Sequence, residues 1–482
     1  MERQGVWCKC LYKGKTERQE NEVEIMRRAI IYQIGRLEQN AFEKIKFVIK
    51  EKEFDAYLSS FAIRDYLQKD GFEPEVVLIY PVSLPFNRSL TNNDKIISSC
   101  GSECYEYLKY AFNNAYDYLK NPDELFKSHP YSKETENFVV IHSLGQYETP
   151  SCRIDFDCEY SDIVIHILID MIKRFISNER KYEKIIADIS SGHNIYVSAF
   201  IEALRYFAVW LQLYNYGQEK DAPEIEIAFG DPVIPGVGSK YAIHFEGQSI
   251  KAFFSSPVSN DDISNNKLSR SIYPEKDKRH MKGQLQSILE GFVITFSSIK
   301  NNTSLVIYHT GYHSEDDILN TLKELLENTE KRLKEKYINS PKLKKNNYLK
   351  AFLVCGFYSG LSGLLKKEKV SFENNQHISI QTLLDSFRNI YRAFGLTLNE
   401  TILGNEVDKL KKDIKEDTDW TSLIGLLYSG DKRNTRPQKR NFFAHAGFEG
   451  TLTECKRYEG SIYLKYNNRY YNTIKKWLME SA

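Results

Sequence analysis

No C-x-x-C pair occurs in the 482 residues, and the 8 cysteines are scattered, so the chain encodes neither a zinc ribbon nor the disulfide framework of a small secreted domain. Cys8 with Cys10, Cys100 with Cys104, and Cys152 with Cys158 are close enough to tempt a disulfide reading. The expectation is nonetheless a reduced, cytoplasmic protein. The most apolar long segment, Ser198 to Tyr214, carries Glu202 and Arg205 in its middle, and no secretory signal is evident; no membrane span is expected. A Walker-type loop with its lysine is missing. Gly236-Val237-Gly238 lacks the third glycine of a dinucleotide fingerprint and sits between two strand-like runs. Neither sign of charge is in excess, with 66 Lys and Arg against 65 Asp and Glu. That balance hides a basic tail: Lys432 to Lys476 holds 11 Lys and Arg against 3 Asp and Glu, where a polyanion would be met.

The length suggests two or three domains. Residues 1–25 are polar and aperiodic and read as an extension. From residue 26 to about 250, short Ile/Val-rich runs alternate with amphipathic stretches. The runs Ala29 to Ile34, Val76 to Tyr80, Phe138 to His142 and Lys184 to Ile189 have the character of buried parallel strands. Helices are expected near Phe54 to Gln68, Cys104 to Leu119, Ile163 to Ile176 and Asn194 to Tyr214, giving a doubly wound, Rossmann-like sheet. Glu224 to Phe229 and Tyr241 to Phe245, around a Pro/Gly loop, predict a closing antiparallel hairpin. Residues 251–279, broken by Pro257 and Pro274, read as a linker. Residues 280–482 are mostly helical in period: 280–299, 315–337, 347–367, 379–395, 406–416, 419–428 and 438–446, with Leu305 to Tyr308 as a short strand. The fold class is therefore α/β plus all-α.

Two places carry chemistry. At the end of the fourth strand, Ser190 and Ser191 offer hydroxyls, Gly192 lets a ligand approach the backbone, and the helix that begins at Asn194 can receive a phosphate on its first N–H groups. Ile34-Gly35-Arg36 adds a turn with a guanidinium. The alternative is that Ser-Ser-Gly only caps a helix. Near the C-terminus, Arg440 and His445 set a permanent cation beside a titratable imidazole. Guanidinium donors can hold the charge of a phosphodiester in flight, and histidine can take or give the protons that RNA-backbone scission moves. Asn441 shares a helix face with His445, and Pro437 suits the first turn. The competing view is a structural histidine near an exposed arginine. Lys456, Arg457, Lys465, Arg469, Lys475 and Lys476 interleave with Tyr458, Tyr463, Tyr466, Tyr470, Tyr471 and Trp477, either to hold single-stranded nucleic acid or as a solvated basic face over a Tyr-rich core. His309 and His313 have ligand-like spacing, but no third ligand lies nearby, so no metal is expected.

Asp188-Ile189-Ser190-Ser191-Gly192-His193-Asn194 resembles the Asp-x-Ser/Thr-x-Gly-x-Asn/Lys signature of CRISPR-associated Rossmann fold (CARF) domains. Arg440 to His445, with Asn441 after the arginine, resembles the Arg-x4-6-His motif of HEPN ribonucleases. Their order matches the CARF/HEPN ancillary ribonucleases of type III CRISPR systems. The resemblance implies a homodimer whose CARF domains bind a cyclic oligoadenylate, commonly the tetra-adenylate. Its paired HEPN domains would form a composite, metal-independent site that cuts single-stranded RNA to 2′,3′-cyclic phosphate and 5′-hydroxyl ends, without a cofactor. Arg440, Asn441 and His445 take the family's catalytic places. Gly35, Arg36, Ser190, Ser191, Gly192, His193 and Asn194 take its activator-binding places, and His193 departs from the usual residue there. Two other readings stay open: a non-catalytic, nucleotide-sensing regulator that binds DNA or RNA, and an RNase that ignores the ring.

Overall fold

Ala29 to Ile34 is apolar except for Gln33, a pattern that suits a strand covered on both faces. The computed structural model describes residues 27–37, 43–90, 94–177, 182–217, 222–231, 240–427 and 436–481. The predicted extension at residues 1–25, the Gly236 to Gly238 loop, Cys8 and Cys10 lie outside these. The N-terminal half runs β1 (Arg27–Ile34), β2 (Ile45–Ile49), β3 (Lys52–Ala56), α1 (Ser59–Lys69), β4 (Phe72–Pro81), α2 (Asp94–Asn113), α3 (Ala115–Tyr118), α4 (Pro122–Phe126), β5 (Phe138–Ile141), β6 (Gly145–Glu148), β7 (Arg153–Phe156), α5 (Tyr160–Ser177), β8 (Tyr182–Asp188), α6 (Asn194–Tyr214), β9 (Glu224–Gly230) and β10 (Lys240–Gly247).

Eight of these strands form one sheet in the order β3-β2-β10-β9-β8-β1-β4-β5. Strands β5, β4, β1, β8 and β9 are mutually parallel, and β10 returns antiparallel to β9 as the hairpin pattern predicts. The sheet grows from β1 to β4 and β5 on one side, then to β8 and β9 on the other. The switch point therefore lies at the carboxyl ends of β1 and β8, where open α/β sheets bind ligands. Side chains alternate: Ile30, Tyr32 and Ile34 join the core beneath α5 and α6, while Ala29 and Ile31 join the one beneath α1.

The C-terminal half continues with α7 (Asn260–Ile263), α8 (Lys267–Ile272), α9 (Arg279–Lys300), α10 (Leu305–Thr310), α11 (Glu315–Lys334), α12 (Lys345–Lys367), β11 (Ile378–Ser379), α13 (Ile380–Ala393), α14 (Thr397–Asp413), β12 (Thr418–Ser422), α15 (Leu423–Leu427), α16 (Lys439–Ala444), β13 (Thr453–Tyr458), β14 (Ser461–Tyr466) and α17 (Tyr471–Met479). One apolar core runs from α5 and α6 through these helices to Phe442 and Leu478. Helix α12 is long and apolar enough to cross a membrane, but 83% of its most apolar window is buried inside the protein.

Several elements differ from the sequence expectation. Phe54 to Ala56 is strand, not helix: Lys50 and Glu51 both adopt positive φ, the backbone of a tight hairpin turn, and pair β2 with β3. The helix expected from Cys104 starts at Asp94 and breaks at Asn114. Strands β6 and β7 were not expected. Leu305 to Tyr308 is helical, because a short run buried on every side carries no period to separate strand from helix. The segment read as a linker folds into α7 and α8, which bury Ile263, Leu268 and Ile272. Thr418–Ser422 is strand where a helix was expected, and with β11, β13 and β14 it makes a four-stranded antiparallel sheet inside the mainly helical half. Cys152 and Cys158 are both free thiols.

Candidate functional sites

A buried polar network holds the crevice at the switch point. Asp188, at the end of β8, accepts hydrogen bonds from the Ser59 hydroxyl and the Ser190 N–H, the latter at 3.0 Å. Burial pushes its carboxyl pKa up, and these hydrogen bonds oppose the rise. Gln33, the polar residue inside β1, donates from Nε2 to Ser59 Oγ at 2.7 Å and Ser191 Oγ at 2.9 Å, and accepts Ser60 N–H at 3.2 Å. Ser191 Oγ donates onward to the Ile34 carbonyl at 3.0 Å. Loops that follow two different strands are thus tied together at their roots.

Two glycines are required by space. A Cβ on Gly35 would lie 2.2 Å from the Tyr80 ring, and one on Gly192, whose φ is +111°, would lie 2.8 Å from Ile34. A cavity of about 320 Å³ results, bordered by Gly35, Arg36, Ser190, Ser191, Gly192 and His193, with Pro81, Leu84 and Tyr196 completing the wall. Among the described residues its lining includes a guanidinium and no carboxylate. Asn194 stands outside that lining, exposed at the first position of α6. His193 occupies the N-cap of α6 without a capping side-chain hydrogen bond, and the Ser191 hydroxyl turns back to β1. The serines therefore shape the crevice instead of capping the helix.

The second site is built on α16. Phe442 is fully buried, with Phe443, Tyr466 and Trp477 at ring-centroid distances of 5.1, 6.2 and 5.5 Å. The helix is shorter than expected, and Pro437 precedes its N-cap Gln438. It stops at Ala444 because Ala446 (φ +51°) and Gly447 (φ +84°) turn left-handed, and Gly447 N–H donates to the Phe442 carbonyl at 2.9 Å. A Cβ on Gly447 would sit 2.6 Å from Tyr466 Oη, the hydroxyl that donates to the Gly447 carbonyl at 2.9 Å. Buried Glu449 accepts the Thr451 and Leu452 N–H groups, each at 2.8 Å, and locks the turn.

His445 consequently lies at the C-cap, with its side chain 44% exposed and its Nδ1 3.1 Å from Oε1 of Glu406 on α14. A ring that donates Nδ1–H to a carboxylate keeps Nε2 as the proton acceptor. Asn441 donates to Gln438 Oε1 at 3.0 Å. Arg440 is exposed, and among the described residues no carboxylate pairs with it. Sequence reasoning missed Glu406, Gln33 and Ser59. Only Gln33 gave a signal, as an amide in an otherwise apolar strand.

The basic tail is largely neutralised. Lys456 pairs with Asp419, Arg457 with Asp417, Lys465 with Glu454 and Lys475 with Glu290, while Tyr466 is buried. These four cations form a paired face, and Tyr466 is the tyrosine beneath it that is buried, while Tyr458 and Tyr471 are exposed. His309 is buried between the Tyr466 and Tyr471 rings, and His313 bonds Tyr358 and Ser287.

The family model for the CARF domain of the CRISPR system endoribonuclease Csx1 matches residues 29–232, and that for the Csx1 HEPN domain matches residues 396–468. Together they cover more than half of the chain. The chain belongs to the Csx1 family of CRISPR endoribonucleases, type III ancillary nucleases. The CARF match encloses every residue that borders the crevice, and the HEPN match encloses Glu406 together with Arg440, Asn441 and His445. No curated protein matches the chain.

Proposed function

We propose that this Csx1-family protein is a cytoplasmic homodimer in which a cyclic oligoadenylate, the tetra-adenylate, switches on metal-independent cleavage of single-stranded RNA.

 

The observation that carries this reading is the exposed His445 ring held through Nδ1 by Glu406, at the end of the same short helix that carries Arg440, a cation that no carboxylate pairs with among the described residues. His445 Nε2 takes the proton of a 2′-hydroxyl as its oxygen bonds to phosphorus. The bond from phosphorus to the 5′-oxygen breaks, and that oxygen leaves with a proton. Arg440 holds the charge gathered on the non-bridging oxygens, and Asn441 is placed as a helper. The products are a 2′,3′-cyclic phosphate and a 5′-hydroxyl. One protomer supplies one such imidazole, whereas a two-fold axis supplies the second proton-transfer group. The same axis suits the activator, because a ring with two-fold symmetry matches two copies of the crevice that Gly35, Arg36, Ser190, Ser191, Gly192 and His193 border. Asn194 takes part from the rim.

The test is labelled single-stranded RNA incubated with purified protein, with and without cyclic tetra-adenylate, in the presence of a chelator. Cleavage that needs the ring, survives the chelator and disappears in His445→Ala is the expected result. A fully active His445→Ala protein overturns the mechanism. Binding without scission returns the regulator reading, and cleavage indifferent to the ring overturns the activation.

A further inference from the structure

Beside the catalytic element lies a second cavity, of about 640 Å³, that the scission chemistry does not use. Its size falls within the roughly 300–1,000 Å³ typical of ligand sites. Helix α17 divides the two places: Tyr471 and Lys475, four residues apart on one face, line the cavity, while Trp477 packs on Phe442 of α16. His309 bridges them from behind, 5.6 Å from the Tyr471 ring and 5.4 Å from that of Tyr466, whose hydroxyl holds Gly447.

The cavity is preformed. Its lip, residues 371–376, is tied to the end of α10 by Tyr312 N–H to the Phe372 carbonyl at 3.3 Å, Asn375 N–H to the His309 carbonyl at 3.0 Å and Gln376 N–H to the Tyr308 carbonyl at 2.9 Å. Gly311, at φ +68°, permits that contact, since a Cβ there would lie 2.6 Å from the Phe372 carbonyl oxygen. On the floor, Gly291 leaves room for His313, whose Nδ1 would stand 2.6 Å from a Cβ.

The chemistry of the lining is that of a base site, not a phosphate site. Lys475 is already paired with Glu290 at 2.6 Å, and Glu373 adds a second carboxylate. Phe372 is 61% exposed and Tyr471 37% exposed, and both line the cavity, so two aromatic residues stand at its border where a base could stack. Gln376 donates through Nε2 to Glu373 and to the Asn374 carbonyl, at 3.2 and 3.3 Å, which leaves its carbonyl oxygen as the acceptor of that amide. We propose that this cavity holds one unstacked base of the RNA substrate, against the aromatic residues Phe372 and Tyr471 at its border, and selects bases with an exocyclic amino group over uracil. Carboxylate and amide oxygens can accept both hydrogens of an amino group, whereas uracil offers them only its N3–H, flanked by two carbonyl oxygens that repel the same acceptors. The inference rests on the ribonuclease reading above.

Cleavage by activated protein is measured on an all-uridine oligomer and on the same oligomer carrying single adenosine, cytidine or guanosine substitutions. The expected result is a KM about tenfold lower for the substituted RNA, the lower end of what one hydrogen bond to a charged acceptor contributes. Gln376→Ala should erase that advantage, whereas Phe372→Ala, which removes a ring that any base can stack on, should raise KM for every oligomer, the all-uridine one included. In parallel, binding of uncut oligomers is measured in a His445→Ala background, alongside thermal denaturation, with free adenosine as competitor. Loss of discrimination in folded Gln376→Ala protein supports the proposal even if no RNA is cut, so failure of the nuclease reading is seen separately. Equal affinity for both RNAs in the parent and both variants overturns it, as does tight binding of free adenosine that leaves RNA affinity untouched.

Discussion

Replacing Glu406 by alanine removes the carboxylate that fixes the rotation and tautomer of the His445 ring. The hydrogen bond is 3.1 Å long, and the Glu406 side chain is only 19% exposed, so water replaces it poorly. Hydrogen bonds to charged groups contribute about 1.5–3 kcal/mol. Since about 1.4 kcal/mol is tenfold in rate, loss of the whole interaction from the transition state lowers kcat about 10- to 150-fold. KM for RNA should stay constant, because Glu406 bonds the imidazole and not the substrate. Glu406→Gln retains a carbonyl acceptor for Nδ1–H at nearly the same place, so its loss should be about 3- to 10-fold, the scale of a neutral hydrogen bond. The assay is single-turnover cleavage of labelled RNA at saturating activator, with Tm measured for each variant. An alanine variant that cleaves at the parental rate refutes the reasoning. So does a glutamine variant as impaired as alanine with both folds intact, since a carbonyl at that position would then restore nothing.

Gly192→Ala places a methyl group 2.8 Å from Ile34 at a φ of +111°, with a strain of about 1–3 kcal/mol. The half-activating concentration of the ring should rise about tenfold, while the rate at saturation is kept; an unchanged activation curve would show that the loop does not hold the ring. His309 is pushed down to about 4 by burial, from an ordinary value near 6.5. It is neutral in the fold and charged in the unfolded chain between those values, so the stability it contributes is present above pH 6.5 and is lost as pH falls towards 4. His309→Phe should remove about 2–3 kcal/mol of the parent's loss between pH 7.5 and 4.5 in chemical denaturation. Identical losses in the two proteins would contradict the assignment.

Four of the five parallel strands were legible as such because each is a short Ile/Val run bounded by turn residues, and burial on both faces of a sheet leaves that mark in a sequence; β9, less buried, was read only as a strand of the closing hairpin. Helix α6 was read with its observed bounds, since 21 residues of sustained amphipathic character leave little freedom. What escaped depended on partners distant in the chain. Phe54 and Ala56 alternate as a strand only because β2 exists to pair with them, and Lys50-Glu51 adopts its turn without a glycine or asparagine to announce it. The hairpin of β13 and β14 hid inside a basic, aromatic tail that looked like a ligand surface. Its lysines and arginines meet carboxylates from α9, β12 and β13, pairings that no local pattern reports. Arg440 and His445 were visible as a motif, whereas Glu406, 39 residues upstream, becomes their neighbour only through the packing of α14.

Helix α6 links the crevice to that packing. At about 1.5 Å per residue its 21 residues span about 30 Å, from His193 at the crevice to Tyr214 in the helical core. Near its far end Trp210 stacks on Phe207 and Tyr214 and presses its Nε1 to within 2.5 Å of where a Cβ on Gly356 would be. One turn on, the Leu213 carbonyl lies 2.4 Å from the equivalent point on Gly360. Glycine inside a helix costs about 1 kcal/mol relative to alanine, so two in α12 stand at a loss that only the close approach of α6 offsets. Beyond α12, Phe357 packs on Phe292 and Phe296 of α9; Glu290 of α9 holds Lys475 of α17; and Trp477 of α17 holds Phe442. A ligand that displaces residues 190–193 must therefore either bend the first turn of α6 or slide the helix across two glycines that fit it without clearance. Close-packed faces of this kind change between discrete arrangements and do not deform smoothly. A switch at the crevice thus meets an unbroken series of packed side chains that ends at the helix carrying Arg440 and His445.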